Sequence, residues 1–273
     1  MKTYSIFNVK GGVGKTTSAT TIAHLLATEY GKKVLLVDLD PQSNSSSLFS
    51  SNQKNILDII RGVFVQGDLN VLKAFNYTVG DLLLNPALDV HDVIAHTEYE
   101  NLDLLPAFLD LAEIEEQLKA DIRTPQQFRL KAHLDKVQDE YDYCIIDLSP
   151  SINIININGL AITDYVFTPL RCDAWGIAGY CIAKNLINTV SSYNPRLKIG
   201  ACFFVQWSKS SLSQQIQELM SAIMNDKYID IPIRKCVKVE EMTYEHKALA
   251  DYAPKATATE DYKRLTEYII SHY

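Results

Sequence analysis

The sequence lacks the features that mark membrane-spanning, secreted and zinc-binding proteins. No apolar run in its 273 residues approaches the ~20 residues that a membrane-spanning helix needs. The first residues contain no basic segment followed by an apolar one, so no signal peptide is predicted. The five cysteines are widely spaced and include no Cys-x-x-Cys pair, which argues against a disulfide framework or a zinc site. These absences predict a cytoplasmic protein with reduced cysteines.

Positive charge is also scarce, since the formal net charge is −7. Residues 1–150 hold 13 Lys/Arg and 21 Asp/Glu, whereas residues 151–273 hold 13 and 12. This balance excludes a uniformly basic nucleic-acid-binding protein and places any anion-binding face in the second half of the chain. We interpret the acidic stretch 81–121 as solvated surface in preference to a partner-binding patch.

Strand-length apolar runs alternate with helical patterns along the chain, and 47% of the residues are hydrophobic, enough for a sizeable core. The predicted strands are 4–9, 34–37, 102–105, 143–148, 165–168 and 199–205. The predicted helices are 16–30, 109–119, 125–138, 175–193 and 211–224. This alternation predicts an α/β fold, a mostly parallel twisted sheet with helices on both faces. Because no repeat or long linker interrupts it, we expect a single domain over residues 1–273.

The remaining segments are less regular. The serine-rich run 43–47 predicts a mobile loop, and residues 55–96 predict short helices. Trp175 and Trp207 are predicted to be packing residues.

A glycine-rich segment joins the first predicted strand to the first predicted helix: Lys10-Gly11-Gly12-Val13-Gly14-Lys15-Thr16-Thr17. Glycines let successive backbone N–H groups turn toward phosphate oxygens, and the positive end of the helix dipole adds to the attraction. We expect Lys15 to reach the β and γ phosphates and the Thr16 hydroxyl to ligate Mg²⁺. The segment therefore predicts a P-loop NTPase fold with a polyphosphate ligand.

Aspartates follow two of the predicted strands. Asp38 and Asp147 each end an apolar strand, so we expect their carboxylates at the carboxyl edge of the sheet, beside the phosphate loop. Together with Thr16 they are the candidate Mg²⁺ ligands. Asp40, two residues beyond Asp38, is the candidate for polarising the water that attacks the γ phosphate. The alternative for each aspartate is a helix cap or a solvated strand end.

The phosphate loop departs from the ordinary pattern at its start. Val9 replaces the usual first glycine, and an additional lysine, Lys10, follows it. In this feature the chain resembles the deviant Walker A ATPases, the ParA/MinD family, whose signature is the additional lysine. Other segments are similar to ParA chains, in particular to small, Soj-like partition ATPases: Val37–Gln42, Ile145–Ser151, Asn158–Leu160 and Tyr252–Leu265. At Leu148-Ser149 the family more often has Thr-Pro or Pro-Pro.

The resemblance implies a slow, partner-stimulated ATPase that uses ATP and Mg²⁺, with Lys10, Lys15 and Asp40 in catalytic roles. It also implies that Lys10 reaches the nucleotide of a second subunit, so that ATP binding drives formation of a face-to-face homodimer. The implied function is plasmid or chromosome partition with a ParB-like centromere-binding protein, by a protein that associates with the nucleoid when ATP is bound. Since the sequence starts almost directly at the first strand, as in small ParA chains, sequence-specific operator binding is not expected.

Nonspecific DNA binding requires a basic stripe, and the second half supplies the candidates. They are Arg196, Lys198, Lys227, Arg234, Lys235 and Lys238. The alternative is that these residues are ordinary solubilising cations, and the sequence does not distinguish Arg234 from Lys235. Adenine contacts are expected near Val205, Gln206 and Ile233.

Two other functions fit parts of the sequence. The first is a MinD-like positioning ATPase that acts at a membrane or a protein complex, because residues 262–273 are amphipathic. Nearby acids oppose the two cations of this segment, and its apolar stripe has the width expected of a helix docked on a sheet, which favours docking over membrane binding. The second is a phosphotransferase that uses the same loop on a small acceptor.

Overall fold

The computed structural model describes residues 1–50, 61–67, 73–121 and 125–273, and in this part of the chain seven strands form one sheet. They are β1 (Lys2–Ile6), β2 (Val34–Leu39), β3 (Ala95–His96), β4 (Leu102–Leu105), β5 (Tyr143–Leu148), β6 (Tyr165–Arg171) and β7 (Lys198–Val205). Their order is β3-β4-β2-β5-β1-β6-β7. Each neighbouring pair is parallel except β3 and β4. The predicted α/β fold with a mostly parallel sheet is confirmed.

Helices connect the strands and cover both faces of the sheet. The α-helices of the described residues are α1 (Lys15–Thr28), α2 (Asn44–Leu48), α3 (Val79–Leu84), α4 (Leu111–Ala120), α5 (Arg129–Leu134), α6 (Ile154–Leu160), α7 (Ala174–Val190), α8 (Ser211–Met224), α9 (Lys238–Glu245), α10 (Leu249–Tyr252) and α11 (Thr257–His272). A π-helix lies at Arg61–Gln66, and three-residue 3₁₀ turns lie at Val90–Asp92, Gln126–Phe128 and Asn225–Lys227.

Two hydrophobic cores lie on opposite faces of the sheet, because successive side chains of a strand point to opposite sides. On β2, Leu36 packs into the core that contains α1 and α11, whereas its neighbour Leu35 packs into the core that contains α3, α4 and α5. Central strands covered on both sides are therefore mostly apolar, as in β2, where Asp38 is the one polar residue. This sandwich holds the carboxyl ends of β1, β2 and β5 side by side.

Residues 43–47 do not form the predicted mobile loop. Ser43 precedes α2, and the residues after it lie within that helix. The helix predicted over 125–138 is also shorter in the structure, a 3₁₀ turn at Gln126–Phe128 followed by α5. Serine-rich composition favours loops on average, but here tertiary hydrogen bonds to buried carboxylates outweigh that preference.

The short helices predicted over residues 55–96 are tested only in part, because residues 51–60 and 68–72 lie outside the described residues. The described part of this segment contains short helices, among them α3 and the turn at Val90–Asp92, as predicted. It also contains the strand β3, which was not predicted. A two-residue strand carries no periodicity from which to predict it.

Trp175 was predicted to be a core or loop packing residue, and this prediction is wrong. Its side chain is 77% exposed in the first turn of α7. Trp207 is partly buried and packs against a small core cluster. Among the cysteines, which are all free, Cys144 and Cys202 are buried and Cys181 is exposed.

The C-terminal helix α11 docks on the domain, as predicted. Tyr262, Leu265 and Ile269 are buried in the same core as α1. The Tyr262 hydroxyl lies 2.9 Å from the Ser18 hydroxyl of α1 within that core. No helix of the described residues combines the length and apolarity needed to cross a membrane.

We expect Leu265→Ala to lower the free energy of unfolding by about 2–5 kcal/mol, because the change leaves a cavity under α11. Chemical denaturation followed by circular dichroism measures the loss. Glu267→Ala, at an exposed position of the same helix, is the control and should change stability by less than about 0.5 kcal/mol. Equal stability of the two variants would show that α11 is not docked in solution.

Candidate functional site

The glycine-rich loop lies at the carboxyl end of β1, near the middle of the sheet, and leads directly into α1. Gly12 and Gly14 have φ angles of 71° and 69°, in the left-handed region where a side chain is strained. This backbone turns the loop so that α1 begins at Lys15, with its amino end toward the loop. The position and the helix polarity are those of an anion site at a helix N-terminus.

Lys15 is buried at the base of this loop, and its Nζ donates a hydrogen bond to the backbone oxygen of Lys10 at 3.3 Å. Burial lowers the pKa of Lys15, and the nearby negative charges of Asp147 and Asp40 oppose that change. The ammonium group is thus poorly solvated and faces carboxylates. A bound polyphosphate would supply the anionic partner that this ammonium otherwise takes from the protein.

Asp38 and Asp147 lie next to each other on adjacent parallel strands, where they are paired in register. Both side chains are fully buried. Burial raises the pKa of Asp38 to about 6 and that of Asp147 to about 7, and for Asp147 the charge of Asp38 adds to the rise. Two carboxylates held together in this way favour a cation between or beside them.

The hydrogen bonds of the two carboxylates differ. Both Asp38 oxygens are occupied, one by the Asp40 N–H at 3.0 Å and the other by the N–H and hydroxyl of Ser46 at 2.9 and 2.7 Å. Asp147 Oδ2 accepts from the Ser45 hydroxyl at 2.8 Å. Its buried Oδ1 accepts no direct hydrogen bond from the described residues, but the Thr16 hydroxyl is close enough to lower the pKa of this carboxyl group. Asp147 is therefore the aspartate with an oxygen available for a metal ion.

Ser45 and Ser46 are site residues that the sequence analysis missed, since it assigned their segment to a mobile loop. Ser46 also accepts a hydrogen bond from the Ala107 N–H at 2.8 Å, so its hydroxyl links β2 to the segment after β4. The available clue was a run of hydroxyl side chains a few residues after Asp38 and Asp40.

Asp40 belongs to the same cluster. It is nearly buried, its Oδ1 accepts from the Gln42 N–H at 2.9 Å, and its charge acts on Lys15 and Asp147. The structure thus brings Lys15, Asp38, Asp40 and Asp147 together, and the role of each residue stays a prediction.

Lys10 does not join this cluster. Its Nζ donates to both oxygens of Asp173, at 2.9 and 3.2 Å. Its backbone N–H donates to the buried Asn8 side chain at 3.0 Å. The sequence analysis did not single out Asp173, which lies between β6 and α7, because its proximity to Lys10 follows only from the pairing of β6 with β1.

A cavity of about 150 Å³ lies on the other side of the loop. Its lining includes Gly14, Thr17 and Tyr262 together with the three residues predicted to lie near adenine, Val205, Gln206 and Ile233. The Gln206 side chain donates to the Gly12 carbonyl at 3.1 Å, which attaches this wall to the loop. The cavity has a size and position suited to a nucleotide base.

The six candidate DNA-binding residues do not form one stripe. Arg196 and Lys198 lie at the amino end of β7, at the sheet edge opposite the phosphate loop. Arg196 is 3.5 Å from Asp164, and Lys227 is 3.3 Å from Asp226, so both are paired with acids.

The other three candidates lie beside or near the cavity, and two of them are also paired. Arg234 Nε and Nη2 donate to the buried Asp261 carboxylate, each at 2.8 Å. Lys238 Nζ is 2.6 Å from Glu241. Lys235 is exposed and makes no ion pair with the described residues. The structure therefore separates Arg234, which holds α11, from Lys235, which is available to a partner.

Comparisons with known proteins agree with this geometry. A family model described as an AAA domain matches residues 1–199. The chromosome-partitioning ATPase Soj of Treponema pallidum is 32% identical over 99% of this chain and 97% of that protein. The sporulation initiation inhibitor protein Soj of Bacillus subtilis is 32% identical over 99% of both.

Among solved structures, cobyrinic acid a,c-diamide synthase from Mycobacterium smegmatis with bound ATP analogue and magnesium superposes with a TM-score of 0.77 at 25% identity, covering 100% of this chain and 95% of that one. A plasmid partition protein from Borrelia burgdorferi has the same fold, with a TM-score of 0.72 at 24% identity and coverage of 100% and 99%.

The raised pKa of Asp147 predicts a pH-dependent effect of Asp147→Asn on the nucleotide-free chain in the absence of Mg²⁺. Between about pH 4 and pH 7 the unfolded chain loses this proton while the folded chain keeps it, so the wild type loses stability as the pH rises. The variant has no such proton. Its stability advantage should therefore grow over this range, to a few kcal/mol at most, and level off above neutrality.

Urea unfolding at pH 4.5, 6 and 7.5 measures this difference. Asp135→Asn, at an exposed carboxylate of a surface ion pair, is the control. A difference between wild type and Asp147→Asn that does not change with pH would contradict the raised pKa.

Proposed function

Because this chain belongs to the ParA/MinD family of P-loop ATPases, we propose that it acts in plasmid or chromosome partition as an ATP-switched homodimer. One observation carries the proposal: the same loop has one lysine buried against carboxylates, Lys15, and a second lysine, Lys10, outside that cluster. A single nucleotide site needs only the first. The second is explained by a phosphate group that is shared between two subunits.

In the proposed complex the loop N–H groups and Lys15 bind the phosphates, and the base enters the cavity beside Gly14 and Ile233. Thr16 and the free Oδ1 of Asp147 hold Mg²⁺, which neutralises charge on the β and γ phosphates. Both oxygens of Asp38 are occupied by Ser46 and the Asp40 N–H, so Asp38 contributes negative charge beside Asp147 without contacting the metal ion. The binding of an ATP analogue and magnesium by the M. smegmatis structure supports both ligands.

Hydrolysis requires a water in line with the γ phosphate. Asp40 accepts a hydrogen bond from this water and orients its oxygen, which forms a bond to phosphorus as the bond to the bridging oxygen breaks. Asp40 takes the proton that the water loses and passes it to the released phosphate, so the products are ADP and phosphate. Lys15 stabilises the charge that develops on the transferred group, and Lys10 of the partner subunit adds a second cation. We infer that turnover is slow until a ParB-like partner completes this arrangement.

The switch between monomer and dimer follows from the phosphate that ATP has and ADP lacks. Lys10 gains an anionic partner across the interface only when the γ phosphate is present, so the differential affinity that drives dimerisation resides there. Nonspecific DNA binding by the dimer, and with it nucleoid association, is supported by the chromosome-partitioning function in the name of the T. pallidum relative. Lys235, which is exposed and makes no ion pair within the described part of the chain, also supports it.

The MinD-like alternative is less well supported. It depends on a C-terminal helix with an apolar face available to a membrane, whereas α11 buries Tyr262, Leu265 and Ile269 in the domain core. Membrane binding by this helix would expose that core.

Two substitutions separate nucleotide binding from turnover. Lys15→Ala should reduce ATP binding below detection and with it dimerisation, because Lys15 is the cation that the described residues place at the base of the loop. Asp40→Ala should keep ATP-dependent dimers and lower kcat at least about 100-fold, as expected for loss of a general base. Light scattering with ATP and Mg²⁺ gives the mass, and phosphate release gives the rate. Normal hydrolysis by Asp40→Ala would contradict the proposed mechanism.

Lys235→Ala should weaken ATP-dependent retention on duplex DNA of arbitrary sequence and reduce the slope of log K against log salt by about one per subunit. The fold should be unchanged because the residue is exposed. Lys131→Ala, which removes a lysine from the exposed pair with Asp135, is the charge-matched control. If the ATP-bound wild type is not retained on DNA even at low salt, the chain does not act by binding DNA.

A further inference from the structure

The ion pair between Lys10 and Asp173 is built so that Lys10 can exchange the carboxylate for another anion. Asp173 precedes α7 and caps it, since its Oδ1 accepts from the Gly176 N–H at 2.7 Å while both oxygens accept from Lys10. The side chains of Lys10 and Asp173 are 28% and 35% exposed. Partly exposed ion pairs are weak, so a multiply charged phosphate group can displace the carboxylate from this lysine.

Asp173 retains other partners when Lys10 leaves. The Nε of Arg171, at the end of β6, is 3.5 Å from Asp173 Oδ2, and the Gly176 N–H remains on Oδ1. Burial opposes ionisation of Asp173, but its hydrogen bonds with Lys10 and Gly176 and the charges of Lys10 and Arg171 outweigh it and lower its pKa. The carboxylate is therefore still compensated without Lys10, and the cost of release is small.

The backbone around this pair is held in place. Asn8 accepts from the Lys10 N–H and donates to the Pro169 carbonyl at 2.9 Å. Helix α7 packs closely on the same loop: a Cβ at Gly179 would lie 2.6 Å from Asn8 Oδ1 and 3.5 Å from Lys10 Cβ. The backbone of Lys10 is thus held in place, and only its side chain can move from Asp173 to another anion.

We propose that Asp173 is a latch that holds the Lys10 ammonium within its own chain in the nucleotide-free state and releases it to a phosphate anion. The holding contact is seen in the structure, and the destination of Lys10 rests on the proposed function. By holding Lys10, Asp173 opposes dimerisation, so that the nucleotide must supply the stronger anion before two subunits associate.

The holding step is tested on the nucleotide-free monomer by pulse acetylation of lysine amines, read by mass spectrometry. Asp173→Asn keeps an oxygen that can cap α7 but removes the charge. Lys10 should be acetylated about 2- to 5-fold faster in this variant, as for loss of a partly exposed ion pair. Asp173→Glu, which restores the charge, should return the rate toward that of the wild type.

Asp135→Asn is the matched control, because it should accelerate acetylation of Lys131 and leave that of Lys10 unchanged. An equal rate of Lys10 acetylation in the wild type and in Asp173→Asn would overturn the latch. This readout needs neither ATP hydrolysis nor a second subunit.

The release step is tested by the dimer dissociation constant with a nonhydrolysable ATP analogue and Mg²⁺. Asp173→Asn should lower this constant about 2- to 5-fold, and the gain should disappear when Lys10→Ala is added, since the two residues act through one contact. Weaker dimerisation by Asp173→Asn, or an unchanged dissociation constant, would show that Asp173 does not oppose dimerisation. If no variant dimerises while the acetylation difference persists, the proposed dimer fails and the holding contact stands.

Discussion

The site depends on one arrangement of charge, a buried lysine held against buried aspartates at the carboxyl edge of a parallel sheet. Lys15 emerges from the start of α1, and Asp38 and Asp147 emerge from adjacent strands paired in register. Charges taken from water in this manner are tolerable only if they compensate each other. The raised pKa values of both aspartates show that the compensation is incomplete without a ligand. The proposed Mg²⁺ and polyphosphate would compensate the carboxylates and the ammonium group together.

Hydroxyl groups connect this charge cluster to the surrounding chain. Ser45 and Ser46 bond to Asp147 and Asp38, and Ser46 also bonds to the backbone of Ala107 after β4. A change in the charge of either aspartate therefore alters hydrogen bonds in α2 and in a neighbouring crossover. On the other side of the loop, Lys10 is attached to α7 through Asp173. The proposed nucleotide site is thus linked to two separate helices, α2 and α7.

Much of the architecture follows from the sequence, because buried parallel strands are apolar throughout and the glycine-rich loop requires a strand before it and a helix after it. The grouping of Lys15, Asp38, Asp40 and Asp147 follows for the same reason. Contacts that do not follow from the shared edge of the sheet could not be predicted. The pairing of Lys10 with Asp173 and that of Arg234 with Asp261 arise from tertiary packing alone, and the helix at Ser45 contradicts its local composition.

The most direct test is a crystal structure with a nonhydrolysable ATP analogue and Mg²⁺. We predict two chains face to face, with each triphosphate bound by Lys15 of its own chain and Lys10 of the other, and with Mg²⁺ on the Thr16 hydroxyl near Asp147. A single chain that binds the triphosphate while Lys10 remains on Asp173 would contradict the account, as would a nucleotide bound outside the glycine-rich loop.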